Sequence, residues 1–482
     1  MNIDNKMKQE IGLNYILNEL AIITPYGIDM KRKLKVFKRN EKKLLVDELD
    51  NVECIIESLK KNQCLYSDIE RTMMEFKDIS NLIKRYNENY ILDEVELYEI
   101  KNFAINIQKL ISIYKALSLD IDVKFYSLKN IVELLNPVGK VTKSFYIYDA
   151  YSKELSDIRN KKTNIEKLIF KEIDEEKNRV LKNKRLDLVV MEEKIQRKIQ
   201  KRLSQKIYLC IKDINKNIVA LGKLDMLIAK GKIAIKYCAV KPELDDKINI
   251  LFHEMKNPKI INYLEKDNKK YIPVSIELKQ GVTVITGANM GGKSVTIKTI
   301  VLNLILAQMG FYVFAVKASF SMMDFIYLVS DDMQSISRGL SSFGAEIIKI
   351  NEAVEDIKKS NGFIGLDEFA RVTNPREGFI LLKALCKFLK DYNTISLVST
   401  HYDGIIDKDI KHYQVVGLKN VDDNILKRHI SIDKEDSISI IQEKMDYRLE
   451  IVDEKCTVPK DALKVAKMMG LDEKIIEYTE SG

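Results

Sequence analysis

The chain has 482 residues, of which 46% are hydrophobic and 31% are charged. This length exceeds what one hydrophobic core usually organises, so we expect two or three domains. The low contents of Pro and Gly, 7 and 19 residues, exclude a fibrous or linker-rich protein. The net charge of +8 permits an anionic partner but does not require one.

The six cysteines are scattered and form no Cys-x-x-Cys pair, which argues against a zinc site and against a disulfide framework. We expect reduced, mostly buried thiols in a cytoplasmic protein. The N-terminal sequence MNIDNKMKQE is charged where a signal peptide would be apolar. The most apolar window, 299–316, contains Asn303, Gln308 and Gly310, and it predicts a buried helix followed by a buried strand rather than a membrane span.

The first part of the chain, residues 1–135, is predicted to be an all-helical core domain. It contains few Gly and Pro residues and places apolar side chains at helical spacing, as in Ile79, Leu82 and Ile83. The turn sequence NPVG at 136–139 ends this region.

The second part, residues 136–240, is predicted to form lever helices with a projecting basic arm. Residues 140–221 include neither Gly nor Pro, a pattern that favours long helices. A single helix over 153–207 would measure roughly 80 Å, longer than a compact domain, so we expect a projecting helix or a helical hairpin.

The basic charge is concentrated in this arm. Residues 177–206 hold eleven Lys or Arg and three acidic residues, an excess of eight that equals the surplus of the whole chain. Such a run is either a solvated helix face or a contact for nucleic acid or an acidic protein. The run has no aromatic residue, so base stacking is not indicated.

The third part, residues 241–482, has the pattern of an α/β domain with a parallel sheet. Apolar runs of strand length alternate with periodic segments of helix length from residue 281 onward. Residues 459–476 predict a short helix, a stop at Gly470 and the start of a second helix.

The segment VTVITGANMGGKS at 282–294 has the form of a P-loop, with an apolar strand, Gly287, four residues, Gly292-Lys293-Ser294 and then a helix. Glycines let backbone N–H groups turn towards phosphates, and a helix N-terminus favours negative charge. We expect Lys293 to neutralise the β- and γ-phosphates and Ser294 to bind Mg²⁺. The segment therefore predicts nucleotide binding.

Two further apolar strands end in polar residues. The strand GFIGL is followed by Asp367 and Glu368, a Walker B arrangement in which Asp367 supports the metal and Glu368 activates water. The strand LVST is followed by His401, which suits a contact with the γ-phosphate. The loop 337–346, SRGLSSFGAE, opens a helix, and it serves either as a helix cap or as an anion site presented to another subunit.

Together these motifs resemble the ATPase domain of MutS proteins, a branch of the ABC ATPases. TGANMGGKS resembles the family's Walker A, DDMQSISRGLSSFGAE its signature loop, LDEFARVTNPREG its Walker B with the D-loop, and STHY its switch segment. More weakly, ILNELAIITPYGIDMKRKL and LGKLDMLIAKGKIA resemble core and lever helices, most closely in the MutS2-like branch.

The resemblance implies that residues 241–482 are a MutS-type ABC ATPase domain with a C-terminal helical dimerisation element. It implies an ATP hydrolase that uses ATP and Mg²⁺ and whose sites are completed in a homodimer. It implies catalytic roles for Lys293, Glu368 and His401, and metal binding by Ser294 and Asp367. The residues it implies in nucleotide binding are Gly287, Asn289, Met290, Gly291, Gly292, Lys293, Ser294, Val295, Ser341, Ser342 and Phe343, the last three acting on the nucleotide of a partner subunit.

Several departures from the family pattern limit what the resemblance implies. Core sequence begins within about ten residues of Met1, so we do not expect the mismatch-reading N-terminal domain and connector. We also expect no C-terminal nuclease domain after the ATPase motifs. The Gly-free arm leaves little space for the DNA-gripping clamp. Val295 follows Ser294 where Thr is usual, and Ala370 and Val372 replace glycines, which would slow ATP turnover.

Two functions remain open from the sequence. The first, which we favour, is ATP-dependent binding of duplex or branched DNA, as in mismatch repair, by nucleotide-driven closure of a dimer. Its support is the concentration of basic charge on the arm. The second is an ATPase that remodels a protein partner, such as a reactivase for a cobalamin-dependent aminomutase, a metabolic enzyme. Its support is the shortened arm of this chain, together with its resemblance to truncated MutS-like ATPases that are associated with such reactivation.

Overall fold

The structure is a computed structural model that describes residues 3–139, 144–287, 292–330, 342–402, 404–406, 410–417, 446–452 and 472–480. The chain divides into two compact units. A helical unit comprises Ala21–Leu34 and Cys54–Ala229, and an α/β unit comprises Met1–Leu20, Lys35–Glu53 and Lys230–Gly482.

The helices that precede the first strand confirm the expected helical N-terminal region. They are α1 (Asn5–Glu10), α2 (Leu13–Glu19), α3 (Pro25–Arg32), α4 (Lys42–Lys61), α5 (Gln63–Met73), α6 (Ser80–Arg85), α7 (Glu94–Leu117), α8 (Lys129–Leu134), α9 (Lys153–Lys171), α10 (Glu175–Tyr208) and α11 (Ile211–Lys236). Two of the four boundaries between the units fall within helices, one in α4 and one in α11.

The helical unit is fixed by capped helices around an apolar core. A capping box at α7 joins Asp93 and Glu96 reciprocally to backbone N–H groups. The buried carboxylate of Asp225 on α11 accepts hydrogen bonds from the N–H and the hydroxyl of Thr24, both 2.7 Å. Because Thr24 is also the N-cap of α3, this contact holds the start of α3 against α11.

The arm is a helical hairpin, the second of the two forms that the sequence allowed. Helices α9 and α10 pack against each other and are joined by residues 172–174. Asp174 caps α10 through the N–H groups of Glu176 and Lys177, and the Asn178 amide donates to the carbonyls of Ile169 and Glu172. These polar caps stop α9 without Gly or Pro.

Two sheets form the α/β unit. The strands are β1 (Glu243–Asp245), β2 (Asn249–Met255), β3 (Val274–Lys279), β4 (Gly281–Thr286), β5 (Lys317–Ser321), β6 (Phe325–Ser330), β7 (Gly362–Asp367), β8 (Thr394–Ser399), β9 (Lys411–Gly417) and β10 (Asp446–Ile451). The smaller sheet has the order β1-β5-β2-β3, and the larger has the order β10-β9-β4-β8-β7-β6.

The larger sheet is parallel from β9 to β6, as expected, and β10 pairs antiparallel at its edge. The helices of this part are α12 (Pro258–Lys266), α13 (Lys293–Gln308), α14 (Ser342–Ile357), α15 (Pro375–Lys390) and α16 (Glu473–Glu480). Strands β7 and β8 are buried along their whole length, so both faces of the sheet are covered. Most of the region 459–476 lies outside the described residues.

Two expectations from the sequence are corrected. Residues 309–316 form no regular strand beyond an isolated bridge from Val313 to Val240, and β5 begins only at Lys317. Individual hydrogen bonds, rather than a strand ladder, hold their backbone. For example, the N–H of Phe314 donates to the Asn303 amide oxygen at 2.8 Å. None of the described cysteines forms a disulfide, but only Cys386 is buried, whereas Cys54 and Cys210 are half-buried and Cys64 and Cys238 are exposed.

Within the part of the chain that the structure describes, no helix is both long and apolar enough to span a bilayer.

Candidate functional site

The predicted site residues follow three neighbouring parallel strands. Strands β4, β8 and β7 are neighbours in that order. They end at the same edge of the sheet because parallel strands run in one direction. Gly287 follows β4, Glu368 follows β7, and His401 lies two residues after β8. Ligands of open α/β sheets bind beyond such carboxyl ends, so this edge is the candidate site.

Backbone geometry requires glycine at both described ends of the loop between β4 and α13. Gly287 has φ +143°, and a Cβ there would lie 2.8 Å from the Val415 side chain. Gly292 has φ +81° and would bring a Cβ to 2.9 Å from the Tyr447 ring of β10. Asn289, Met290 and Gly291, also predicted as nucleotide-binding residues, lie outside the described residues.

Lys293 opens α13 with its side chain buried in the site. Its Nζ donates to the carbonyl of Gly287 at 2.8 Å and lies 3.5 Å from Oε1 of Glu368. Burial lowers the pKa of Lys293, and the Glu368 carboxylate opposes this shift. A phosphate entering here would meet an ammonium that has already lost most of its water.

Ser294 and Asp367, the two residues predicted to bind the metal, are hydrogen-bonded to each other. The Ser294 hydroxyl donates to Oδ1 of Asp367 at 2.9 Å, and the Ser399 hydroxyl donates to the same oxygen at 2.7 Å. Burial raises the pKa of Asp367, and the two hydroxyls oppose that shift. A carboxylate and a hydroxyl are the hard oxygen ligands that Mg²⁺ takes beside phosphates and water, so this pair fits the expected ion.

Glu368 is held from both sides. Its Oε2 lies 2.6 Å from the Arg371 guanidinium, while Oε1 faces Lys293. Its N–H donates to the carbonyl oxygen of Ser399 at 3.2 Å and to the hydroxyl at 3.1 Å. The backbone is left-handed, with φ +52°, which turns the side chain away from the line of β7 and towards the P-loop lysine.

His401 is exposed, and its ring lies on Tyr402 with centroids 4.5 Å apart. Desolvation lowers the pKa of His401 below 6.5, and Glu368 opposes the shift. The imidazole is therefore mainly neutral at pH 7 and can donate one hydrogen bond towards the sheet edge.

The other predicted binding residues lie around α13 and α14. Val295 is half-buried in the first turn of α13. Phe343 packs towards the core of its own chain, with its ring 6.5 Å from that of Phe369. Ser342 begins α14 but its side chain is outside the described residues, as is Ser341.

Three residues of the site were missed by the sequence reasoning. Ser399 lies within the STHY segment, and its serine next to a strand end was the available signal. Arg371 follows Glu368 by three residues, a spacing that brings side chains together in a helical turn. Tyr447 carries no signal, because only the pairing of β10 with β9 places it beside Gly292.

The C-terminal part of the chain is similar to known proteins. Residues 283–481 match the family model of MutS domain V. The chain is 29% identical over 308 residues to Endonuclease MutS2 of Caldanaerobacter subterraneus subsp. tengcongensis, covering 62% of this chain and 35% of that protein. It is 33% identical over 228 residues to Endonuclease MutS2 of Lactobacillus gasseri, covering 46% and 28%.

The matched part thus spans about a third of the length of these curated relatives. The family match covers β4, α13, β7 and β8, the elements that carry the site. The comparisons therefore support a MutS-family, MutS2-like assignment for the C-terminal part of the chain.

Proposed function

We propose that this protein is an ATP hydrolase with an ABC-type P-loop site. The observation that carries the proposal is the convergence of Lys293, Ser294, Asp367 and Glu368 within hydrogen-bonding or ion-pair distance at one sheet edge. Similarity to a family of ATPases supports the same reaction. The Ser294–Asp367 pair would hold Mg²⁺, which supplies charge neutralisation for the phosphates when bound.

The contacts of Lys293 suggest how substrate prepares the site. The N-terminus of α13 receives the phosphates of ATP, and the γ-phosphate competes with Glu368 for the ammonium group. Once Lys293 turns to phosphate, Oε1 of Glu368 is free to hold a water for in-line attack. His401, neutral at pH 7, would donate to the γ-phosphate or the leaving phosphate.

We further propose that two copies close over nucleotide. In this scheme Ser341, Ser342 and Phe343 of each copy act on the nucleotide bound by the other, and closure moves the arms. Phe343 packs against Phe369, next to Glu368, which supports mechanical linkage between the start of α14 and the hydrolytic carboxylate.

We propose DNA as the effector of this cycle. The outer face of α10, defined as Leu186, Val190, Lys194, Arg197 and Lys201, lies opposite the buried Ile195, Ile199 and Leu203 and is exposed. A row of cations at helical spacing suits phosphates of a duplex irrespective of sequence. The curated relatives are named as endonucleases, which are enzymes that act on nucleic acid.

The hydrolase is tested with Glu368→Gln, which keeps the size of the side chain. We expect ATP binding to be retained and turnover to fall by about a thousandfold, because the amide cannot accept a proton from water. Glu355→Gln, an exposed position near the end of α14, is a matched control that should leave turnover unchanged. Equal loss of binding and turnover in Glu368→Gln would contradict the assigned role.

DNA binding is tested by its salt dependence. If the three cations of the outer face each contact a phosphate, log K should fall with log salt with a slope of about −3 or steeper. Changing Lys194 and Lys201 to Gln should reduce the slope by about 2. A duplex affinity that does not respond to salt, or no binding at all, would remove DNA from the proposal.

A further inference from the structure

The turn between α9 and α10 carries two apolar side chains that its own chain leaves uncovered. Phe170 is 94% exposed and Ile173 is 95% exposed. The turn itself is well fixed, because Asp174 caps α10 and Asn178 bonds to the carbonyls of Ile169 and Glu172. A rigid turn that presents an aromatic and an aliphatic side chain to water indicates a contact surface.

The charge around this turn is opposite to that of the remaining arm. From Phe170 to Lys177 there are four acidic and two basic residues, and Asp174, Glu175 and Glu176 are exposed. Glu175 and Glu176 also stabilise the N-terminus of α10 electrostatically. The acidic residues by themselves therefore do not indicate a binding site. Together with Phe170 and Ile173 they form a surface, called the arm tip here, that is apolar at its centre and acidic at its edge.

The outer face of α10 has the complementary composition. Leu186 and Val190 are about half exposed, and Lys194, Arg197 and Lys201 follow on the same face towards the C-terminal end of the helix. No ion pair of these three cations occurs among the described residues. The face therefore offers exposed apolar side chains beside exposed positive charge, which matches the arm tip in both respects.

The arm tip cannot reach the outer face of its own α10. Ile173 and Lys194 are separated by about 30 Å along a continuous helix. We propose that the arm tip binds the outer face of α10 in a second copy of this chain, with the two arms antiparallel. Such a contact is isologous, because each tip meets the other arm's outer face about a twofold axis.

The symmetry predicts where the axis passes. If residue 173 of one copy lies beside residue 194 of the other, the midpoint is near residue 183. Asn183 is exposed and lies on the outer face, three residues before Leu186. Asn183 of the two copies should therefore come close together, whereas Lys182, also exposed, points about 100° away around the helix.

The arm tip and duplex DNA would occupy the same outer face of α10, so the two contacts exclude each other, and the dimer joined through the arms needs neither nucleotide nor DNA. The inference is tested by oxidising the full-length Asn183→Cys protein without either ligand and measuring the cross-linked dimer. The parent chain, with its six cysteines, gives the background, and Lys182→Cys is the matched control. We expect the Asn183→Cys protein to cross-link at least about tenfold more than the Lys182→Cys protein, because a disulfide needs Cα atoms within about 7 Å.

Charge reversal then tests the pairing itself. In the Asn183→Cys protein, Glu175→Lys with Glu176→Lys should lower cross-linking, as should Lys194→Glu with Arg197→Glu, and the four changes combined should restore it. Phe170→Ser with Ile173→Ser should lower it without rescue. Restored cross-linking in the combined variant would show that the charge-reversed proteins fold. It would not occur if the acidic residues of the arm tip did not meet the cations of the outer face.

Three results would overturn the inference. Equal cross-linking through positions 182 and 183 would show random collision, and no rescue in the combined variant would show that the charges do not meet. Unchanged cross-linking in the Phe170→Ser, Ile173→Ser variant, together with weakened duplex binding, would make the arm tip a DNA contact. ATP hydrolysis by the same proteins is a separate measurement that tests the proposed function.

Discussion

The turn after β7 contains two non-glycine residues with left-handed backbone, Glu368 at φ +52° and Ala370 at φ +60°. Each such residue costs about 1–2 kcal/mol relative to an ordinary conformation. The cost is offset locally, because the Ala370 N–H donates to Glu346 at 3.0 Å and its carbonyl accepts from the Tyr402 hydroxyl. Strain at this point is therefore part of how Glu368 is aimed.

Ala370→Gly separates strain from packing. Relief of the left-handed conformation should stabilise by about 1–2 kcal/mol, while loss of a buried methyl and the greater freedom of the unfolded chain cost about 1–2 kcal/mol together. We expect little net change in the unfolding midpoint.

The matched control is Ala353→Gly, at a buried position within α14. The same two costs apply there without relief of strain, so it should destabilise by about 1–2 kcal/mol. Equal destabilisation by both variants would show that Ala370 is not strained.

Asp367→Asn tests how much stability the protein loses by burying a carboxylate that is proposed to bind a metal. Burial raises the pKa of Asp367 above its usual 3.8, so the folded state binds its proton more tightly than the unfolded state. Stability contributed by this group is therefore present at low pH and is lost as pH rises through the raised pKa. Without Mg²⁺, Asn at this position should raise the unfolding midpoint at pH 7.

The same variant should lose the stabilisation by Mg²⁺ and ATP that the parent chain gains, about 2.7 kcal/mol at a hundredfold excess over Kd. Thermal unfolding with and without Mg²⁺ and ATP measures both effects. A variant that is less stable than the parent without ligand, or equally stabilised by ligand, would contradict the assignment.

At the scale of elements, the sequence predicted the strand that precedes each motif, because each is a short apolar run ending in Gly, Asp-Glu or Thr-His. It predicted the neighbourhood of Ser294 and Asp367 for the same reason. It could not predict that Tyr447 approaches Gly292, since β10 reaches the site only through pairing at the sheet edge. Nor did it distinguish a hairpin from one long helix, because polar caps rather than Gly or Pro end α9.

One carboxylate, that of Glu192 on α10, joins the two helices of the arm through ion pairs. It accepts from Arg159 of α9 at 2.8 Å and also from Lys162. Burial would raise the pKa of Glu192, but the hydrogen bonds from Lys162 and Arg159 outweigh it and hold the pKa below 4.5. The stability from this group is thus present above about pH 4.5 and is lost as pH falls through the lowered value.

Glu192→Gln should loosen the hairpin. We expect a loss of about 2 kcal/mol in the free energy of local opening at pH 7, or about thirtyfold faster amide hydrogen exchange in α9 and α10. Glu193→Gln, an exposed neighbour, should change exchange little. The difference between Glu192→Gln and the parent should shrink at pH values below the lowered pKa. A difference that persists unchanged in acid would exclude the ion pairs as its cause.

At the scale of the whole molecule, the proposed cycle requires that nucleotide state and self-association are linked. Linkage is reciprocal, so a nucleotide that favours the dimer must bind the dimer more tightly. Any association through the arms would add to this effect, because a second contact within one assembly acts at high effective concentration. The two contributions can be separated, since only one of them depends on ATP.

Glu368→Gln with ATP should therefore sediment as a dimer at protein concentrations where the same variant with ADP is mainly monomer. The reason is that ATP persists in this variant, so both composite sites stay filled, whereas ADP lacks the γ-phosphate over which the two copies are proposed to close. Removing the arm contact through Phe170→Ser and Ile173→Ser should weaken association equally with either nucleotide, leaving the ratio of the two dimer dissociation constants unchanged. A ratio near one in the variant with an intact arm would show that triphosphate does not join the two copies, because a ligand that binds two states equally shifts neither of them.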